Sequence, residues 1–255
     1  MNTRSLLLKL SKKFPKSLAK KYHDYVGLMC GKLKENTKKI LLCLDFDEEV
    51  LEIALKEKPD LIITHHPFIY GTYAKALKKD PMKKALVDKI LANGLVVYSL
   101  HTNFDEGKGG MNDALAEKLG LIDIKPLDFC PMGRIGNLVT PMNIFEFAKY
   151  AKECFGVDYG LLVNNGNEMI TRVALVGGGG SRTYEAAIKE NADIYISGDA
   201  PHHIRRSVIQ HKFNYLDLPH EIEKIFMPRM KEILLDYDPT LNIIIVDHEC
   251  LPKVI

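Results

Sequence analysis

Apolar positions recur along this chain with two periods, and the switches between them divide it into elements. Short runs rich in β-branched residues at 40–44, 61–63, 95–100, 173–176, 194–196 and 243–246 predict buried strands. Between them, apolar residues spaced three and four apart predict amphipathic helices over 49–58, 81–92, 111–119, 144–155, 184–190 and 222–234. Gly94, Gly120 and Gly156 follow helical patterns where left-handed C-terminal caps are expected. Strand and helix in alternation predict an α/β fold with a largely parallel core.

One internal comparison goes further than these propensities. Laying Lys39-Ile40-Leu41-Leu42-Cys43 on Arg172-Val173-Ala174-Leu175-Val176 sets an offset of 133 (172 − 39). The same offset superposes Glu52 on Glu185, Ala54 on Ala187, Lys56 on Lys189, Glu57 on Glu190, Asp60 on Asp193 and Ile63 on Ile196 without a gap. Two similar α/β lobes arising by duplication are one reading, and the ordinary likeness of any two βαβ units is the other. On the first reading, the strand ends at His65-His66 and Gly198-Asp199 correspond. A second pairing sets Tyr98-Ser99-Leu100-His101 on Asp217-Leu218-Pro219-His220, each a strand end that delivers a histidine. The expected boundary falls at Lys125-Pro126, giving lobes over 1–125 and 126–255 with a metal site in the cleft between them. The strand at 243–246 either stays with the second lobe or returns to the first.

Composition narrows the classes. The chain has 255 residues, 46% hydrophobic and 27% charged, which suits one large domain or two small ones. Lys+Arg 35 against Asp+Glu 33 leaves a formal charge of +2, too small to make nucleic acid or an anionic membrane the default partner. Cys30, Cys43, Cys130, Cys154 and Cys250 form no CxxC and read as reduced, mostly buried thiols. The run Leu6-Leu7-Leu8 is broken by Lys9, Lys12 and Lys13, and no apolar stretch reaches the roughly 18 residues that span a bilayer. A soluble, cytoplasmic protein is expected.

Candidate chemistry gathers at strand ends. Thr64-His65-His66-Pro67 closes the run Leu61-Ile62-Ile63, and adjacent side chains serve one site only where the strand has ended. Two further loops carry His101 with Asp105, and His220 with Glu221 and Glu223. Imidazoles and carboxylates together suit zinc, iron(II) or manganese, and two ions sharing a bridging carboxylate would explain so many donors. His220 and Glu223, three apart after Pro219, share one face of a helical turn. The bland alternative for His65-His66 is a hydrogen-bonded loop pair. His101 is read as orienting Asp105 rather than ligating. His202-His203 lines the same cleft or is a solvated pair, and His248-Glu249-Cys250 is read as the tail of a strand. The run Gly177-Gly178-Gly179-Gly180-Ser181 suits either phosphate amide contacts or close packing between the lobes. Gly109-Gly110 reads as a turn that starts a helix.

Six segments in order carry a resemblance: Asp24-Tyr25-Val26-Gly27-Leu28, Ile63-Thr64-His65-His66-Pro67, His101-Thr102-Asn103-Phe104-Asp105, Gly133-Arg134-Ile135-Gly136, Asp193-Ile194-Tyr195-Ile196-Ser197-Gly198-Asp199 and Pro219-His220-Glu221-Ile222-Glu223. Over nearly its whole length the chain resembles the Nif-three-like family, also called GTP cyclohydrolase I type 2 homologues. The resemblance implies that His65, His66, Asp105, His220 and Glu223 ligate two divalent metal ions, zinc, iron or manganese, and that the protein assembles as a toroidal homohexamer. Pro219 departs from the glycine usual before the C-terminal ligand histidine, and the carboxylate spacing varies among members of the family, which leaves Glu221 as a weaker alternative to Glu223. The chain matches the short form of the family, without an inserted domain.

The resemblance further implies a metal-dependent hydrolase. Its small-molecule substrate is GTP or another nucleotide, the purine ring opening after metal-activated water adds at C8. His101 or His203 then supplies the proton to the leaving nitrogen, and Arg134 and Arg182 are candidate triphosphate contacts. A third reading keeps hydrolysis with another phosphorylated or cyclic-amide substrate. From a different class, the alternative is a non-catalytic metal-binding or metal-delivery protein whose ring assembly is the function.

Overall fold

In the computed structural model, which describes Met1–Lys253, the chain begins with α1 (Thr3–Lys13), whose N-terminus is capped by the Asn2 side chain accepting from Ser5 N–H. The short α2 (Lys16–Lys20) leads to β1 (Gly27–Cys30) and β2 (Lys39–Cys43). Asp47 caps α3 (Glu48–Glu57), and Glu48 and Glu49 in its first turn complement the helix dipole. Next come β3 (Leu61–Thr64), α4 (Tyr73–Lys79), α5 (Pro81–Ala92), β4 (Val97–Ser99) and α6 (Thr102–Glu106). Asp80 and Pro81 start α5 as cap and first residue.

The segment that follows builds a second sheet. It contains α7 (Met111–Lys118), β5 (Ile122–Leu127), β6 (Cys130–Asn143), α8 (Ile144–Phe155), β7 (Leu161–Val163) and β8 (Met169–Leu175). A 3₁₀ turn at Gly180–Thr183 precedes α9 (Tyr184–Lys189), β9 (Ile194–Ser197), α10 (His202–Gln210) and β10 (Asn214–Asp217). Another 3₁₀ turn, His220–Ile225, closes the segment. The chain ends with α11 (Phe226–Tyr237) and β11 (Asn242–Ile245).

Backbone contacts group Met1–Gly110 with Phe226–Cys250 as one compact unit, and Met111–Ile225 forms the body of the other. The first sheet has the order β1-β4-β3-β2-β11, with every pair parallel except β1–β4. The last strand pairs with β2, Asn242 opposite Lys39 and Ile245 opposite Leu42. Every residue of β3, and all of β2 except Lys39, is buried, which is why both read as unbroken apolar runs. Each such Leu or Ile contributes about 2 kcal/mol by leaving water.

The second sheet runs β5-β6-β8-β9-β10-β7, and only β8, β9 and β10 are mutually parallel. A largely parallel core therefore describes the first sheet, while the second is mixed. Boundaries also lie elsewhere than expected. The chain passes between units at Gly110–Met111, and the β5–β6 pairing spans Lys125-Pro126. Glycine and proline hide β6 from pattern reading. A Cβ on Gly133 would lie 2.6 Å from Leu127 Cδ1, so the glycine is what lets its neighbours close on the strand.

Gly94, Gly120 and Gly156 all take the expected positive φ. The five cysteines are free thiols, with Cys30 and Cys43 buried, Cys130 and Cys154 half-buried and Cys250 exposed. Among the described residues, no helix is long and apolar enough to cross a membrane.

Candidate metal centre

In the first unit, the chain leaves the sheet immediately after Thr64. The Thr64 hydroxyl donates to the carbonyl of His66 at 2.8 Å and meets Ser99 Oγ at 2.7 Å, while the N–H groups of His65 and His66 donate to the Leu44 carbonyl at 3.2 and 3.0 Å. That turn frees two successive side chains from the alternation of a strand. The buried His65 ring donates from Nδ1 to the Leu100 carbonyl at 2.9 Å, and its Nε2 lies 3.4 Å from Asp105 Oδ1. His66 donates from Nδ1 to Asp45 Oδ2 at 2.7 Å.

His101 follows β4 and heads α6, with its Nδ1 donating to Asp24 Oδ2 at 2.7 Å. One ring nitrogen from each of His65, His66 and His101 comes within 4.8 Å of the others, a spacing that could hold a metal ion. Asp105 stands one helical turn after His101 and is buried. Phe226 packs on the His65 ring with centroids 5.1 Å apart, and Phe104 flanks the same ring at 6.4 Å, giving this side an apolar wall. Burial opposes ionisation of Asp24, yet the His101 and Thr102 hydrogen bonds and the Tyr25 N–H outweigh it and bring its pKa to about 2.

In the second unit, His220 opens the 3₁₀ turn after Pro219. Its Nδ1 donates to Asp199 Oδ2 at 2.6 Å, and its Nε2 faces the buried Glu223 Oε2 at 3.1 Å. The bond to Glu223, opposed by burial and reinforced by Asp199, lifts the His220 pKa to about 9. The pair therefore already holds one positive charge as a proton. The glycine run explains how Glu223 fits: Gly178 has φ +58° and a Cβ there would collide with Glu223 Oε1. Its carbonyl accepts the Gly180 and Gly198 N–H groups at 2.9 and 2.7 Å. Close packing accounts for these glycines, Gly178 against Glu223 and Gly177 against Met111 and Leu115.

A carbonyl or carboxylate can only accept, so each of these four imidazoles carries its proton on Nδ1 and, when neutral, presents the Nε2 lone pair. Such tautomer-fixing partners are what metal-ligating histidines require, so the donor sets fit a borderline divalent ion. Glu223, not Glu221, faces His220; Glu221 lines a cavity of about 360 Å³ with Tyr159, Asp199 and Asp217.

Other expected residues are placed differently. The Nδ1 partner of His101 is Asp24, although the ring was expected to orient Asp105. His203 is exposed in the first turn of α10, and its side chain has no partner among the described residues. Arg134 is buried in a bidentate bridge to Asp113, at 2.5 and 3.1 Å, which removes it from contact with a triphosphate. Arg182 is exposed on the first 3₁₀ turn. His248 Nε2 meets Asp47, the cap of α3, at 3.0 Å. Pattern reading missed Asp24, Asp45 and Asp199 as histidine partners. Asp24 heads one resemblance motif and Asp199 closes another, and Asp45 and Asp199 each lie two residues past a strand end.

Comparison with known proteins places this arrangement in a family. The model of the family described as Duf34/NIF3 (NGG1p interacting factor 3) matches residues 1–251. A Clostridium perfringens protein named GTP cyclohydrolase 1 type 2 homolog is 34% identical over 203 residues, covering 77% of each chain. A Lactococcus lactis protein of the same name is 32% identical over 248 residues, covering 95% of each. The solved structure of a Bacillus cereus protein related to NIF3 has the same fold, with a TM-score of 0.89 at 21% identity over 100% of this chain and 99% of that one. The chain belongs to the Duf34/NIF3 family.

Proposed function

We propose that this protein is a metal-dependent hydrolase whose two donor sets serve one dinuclear centre, with His65, His66, Asp105, His220 and Glu223 as ligands. The observation that carries the reading is the acceptor on Nδ1 of each of the three proposed ligand histidines, His65, His66 and His220, which leaves Nε2 as the atom that a metal ion would take in place of a proton. A second support is donor number: His220 and Glu223 alone are too few to retain a divalent ion, so donors from elsewhere in the chain are needed. Zinc, iron or manganese bound there would supply a water of lowered pKa and polarise the substrate.

The names of the relatives make GTP the first substrate to try. Water adds at purine C8, the imidazole ring opens and formate leaves. Protonating the leaving nitrogen falls to His101: with Asp24 at its Nδ1, the imidazolium is stabilised and the second proton sits on Nε2. His203 has no such carboxylate partner, which makes it the weaker candidate. The resemblance also leads us to propose a homohexamer acting in the cytoplasm.

The test loads the protein separately with Zn²⁺, Mn²⁺ and Fe²⁺ and follows formate release from GTP. His65→Ala and Asp105→Ala should each lower metal stoichiometry by about half or more while the far-UV circular dichroism stays unchanged. Metal stoichiometry equal to wild type in both variants would defeat the centre itself. Silence with GTP under every loading, with stoichiometry intact, would defeat the substrate and leave metal binding without turnover.

A further inference from the structure

We propose that the first unit contains a second binding site, a tyrosine-walled pocket that takes a planar aromatic ring carrying a phosphate. The pocket is a cavity of about 310 Å³ lined by Lys16, Lys20, Tyr25, Leu28 and Tyr73, with Asp24 at its edge.

Three features make it a site rather than a dimple. Lys16 and Lys20, four apart on α2, project from one face of the helix, and neither ammonium has a carboxylate partner among the described residues. Like charges on one helix face repel one another, and a phosphate bound by both would relieve that repulsion through charge-assisted hydrogen bonds. Gly27 fixes where one of them lies: it holds φ +110°, and a Cβ there would collide with Lys16 Nζ. The strand backbone is bare where the lysine crosses it.

The walls are aromatic. Tyr25 and Tyr73 are exposed at 42% and 43%, and Tyr70 stands edge-on to the Tyr25 ring with centroids 5.4 Å apart. Half-exposed tyrosines present apolar ring faces with a polar edge, which suits stacking on another ring at little entropic cost. Asp24 forms no ion pair with either lysine. Its Oδ2 accepts from His101, Thr102 N and Thr102 Oγ1, and its Oδ1 accepts from Tyr25 N–H at 2.8 Å. The single carboxylate in the pocket is thus already engaged with the candidate proton donor of the metal centre.

The ligand class follows from the pocket and needs no metal. That this ligand is also the substrate of the metal centre rests on the hydrolase reading above, and Asp24, shared by pocket and His101, is the link between them.

The experiment uses the full chain stripped with EDTA, so that no ion competes for phosphate. The probe is 1-naphthyl phosphate, followed by its own fluorescence, which the absence of tryptophan leaves unobscured. 1-Naphthol and inorganic phosphate are the separate ring and anion arms. The probe should bind saturably, and each half alone at least about tenfold more weakly. Lys16→Ala combined with Lys20→Ala should weaken the probe by about tenfold while leaving 1-naphthol unchanged, and Tyr25→Ala should weaken both. All three side chains are exposed, and a thermal melt equal to wild type checks the fold. Equal probe affinity in wild type and the lysine variant would overturn the proposal, as would inorganic phosphate binding as tightly as the probe. The two readings fail separately: lysine-dependent probe binding with no formate from GTP sinks only the GTP substrate, whereas formate release with lysine-independent binding sinks only the pocket.

Discussion

In the first unit the Asp60 carboxylate receives the N–H groups of Lys38 and Lys39 at 2.9 and 3.0 Å; in the second, Asp193 receives those of Thr171 and Arg172 at 2.9 and 2.8 Å. Lys39 Nζ donates to the Glu57 carbonyl in one and Arg172 Nε to the Glu190 carbonyl in the other. The parallel registers agree as well, Ile40 opposite Leu61 and Val173 opposite Ile194. Every one of these pairs keeps the offset of 133 (193 − 60) seen in the sequence.

Beyond this frame the units diverge. At the same offset, Asp45, which holds His66, corresponds to Gly178, which has to lack a side chain for Glu223 to fit. His66 corresponds to Asp199, so a donor in one unit matches the partner of a donor in the other. The next strand carries a different offset. Thr64 pairs with Ser99 and Ser197 with Asp217, an offset of 118 (217 − 99), and Leu100 and Leu218 donate to the corresponding carbonyls. Asp105 then matches Glu223, but His101 matches Pro219 and His220 matches Thr102. Pairing the two histidines directly is therefore one residue out of register. The backbone contacts keep a common offset, and the candidate donors do not.

The partners of the histidines offer the strongest way to break this comparison. The Asp24 side chain is 2% exposed and Asp199 58%. A buried carboxylate is not replaced by water when removed, so Asp24→Asn should weaken an effect that depends on His101 more than Asp199→Asn weakens one that depends on His220. Zinc titration should show about tenfold loss of affinity for Asp199→Asn. For Asp24→Asn, formate release should fall about a hundredfold if His101 is the acid. Equal, negligible effects in both would make these carboxylates structural only.

A smaller effect tests the glycine. Gly178→Ala combines a left-handed backbone with displacement of Glu223, and urea unfolding should show a loss of about 1–3 kcal/mol. Wild-type stability would mean that Glu223 moves aside freely.

The smallest effect sharpens the shared frame. Asp60→Ala and Asp193→Ala each strand two backbone N–H groups, and each should cost about 1–2 kcal/mol in urea unfolding. Burial opposes the charge of Asp60, but the Lys38 and Lys39 N–H groups and the Lys34 ammonium prevail and hold it below its ordinary 3.8. Its stabilisation is accordingly complete above that value and lost as pH falls through the lower folded pKa. Melts of wild type and Asp60→Asn from pH 5 to pH 2 should converge at the acid end; a constant gap would remove the carboxylate from the explanation.

Legibility followed range of interaction. Strands β2, β3 and β9 were readable because burial on both faces leaves runs dominated by Ile and Leu, with Tyr195 buried in β9. Helices α5 and α8 were readable from caps and spacing local to the segment. Strand β6 escaped because Pro131, Gly133, Gly136 and Pro141 interrupt it, and α10 because His202, His203, Arg205 and Arg206 mask its apolar face. The histidines of the candidate site stood out by type at strand ends. Their carboxylate partners did not, because Asp24 lies 77 residues from His101, and Asp45 and Asp199 each lie 21 residues from the rings they hold.

By itself, then, the sequence determined the α/β elements, the offset of 133 and the candidate donors, since hydrophobic period and residue chemistry are local properties of the chain. Tertiary structure alone decided the return of β11 to β2, the mixed second sheet, the burial of Arg134 and the proton position on each imidazole. Each of these depends on which distant backbone or carboxylate arrives opposite, and pairing at that range is fixed only when the whole core closes.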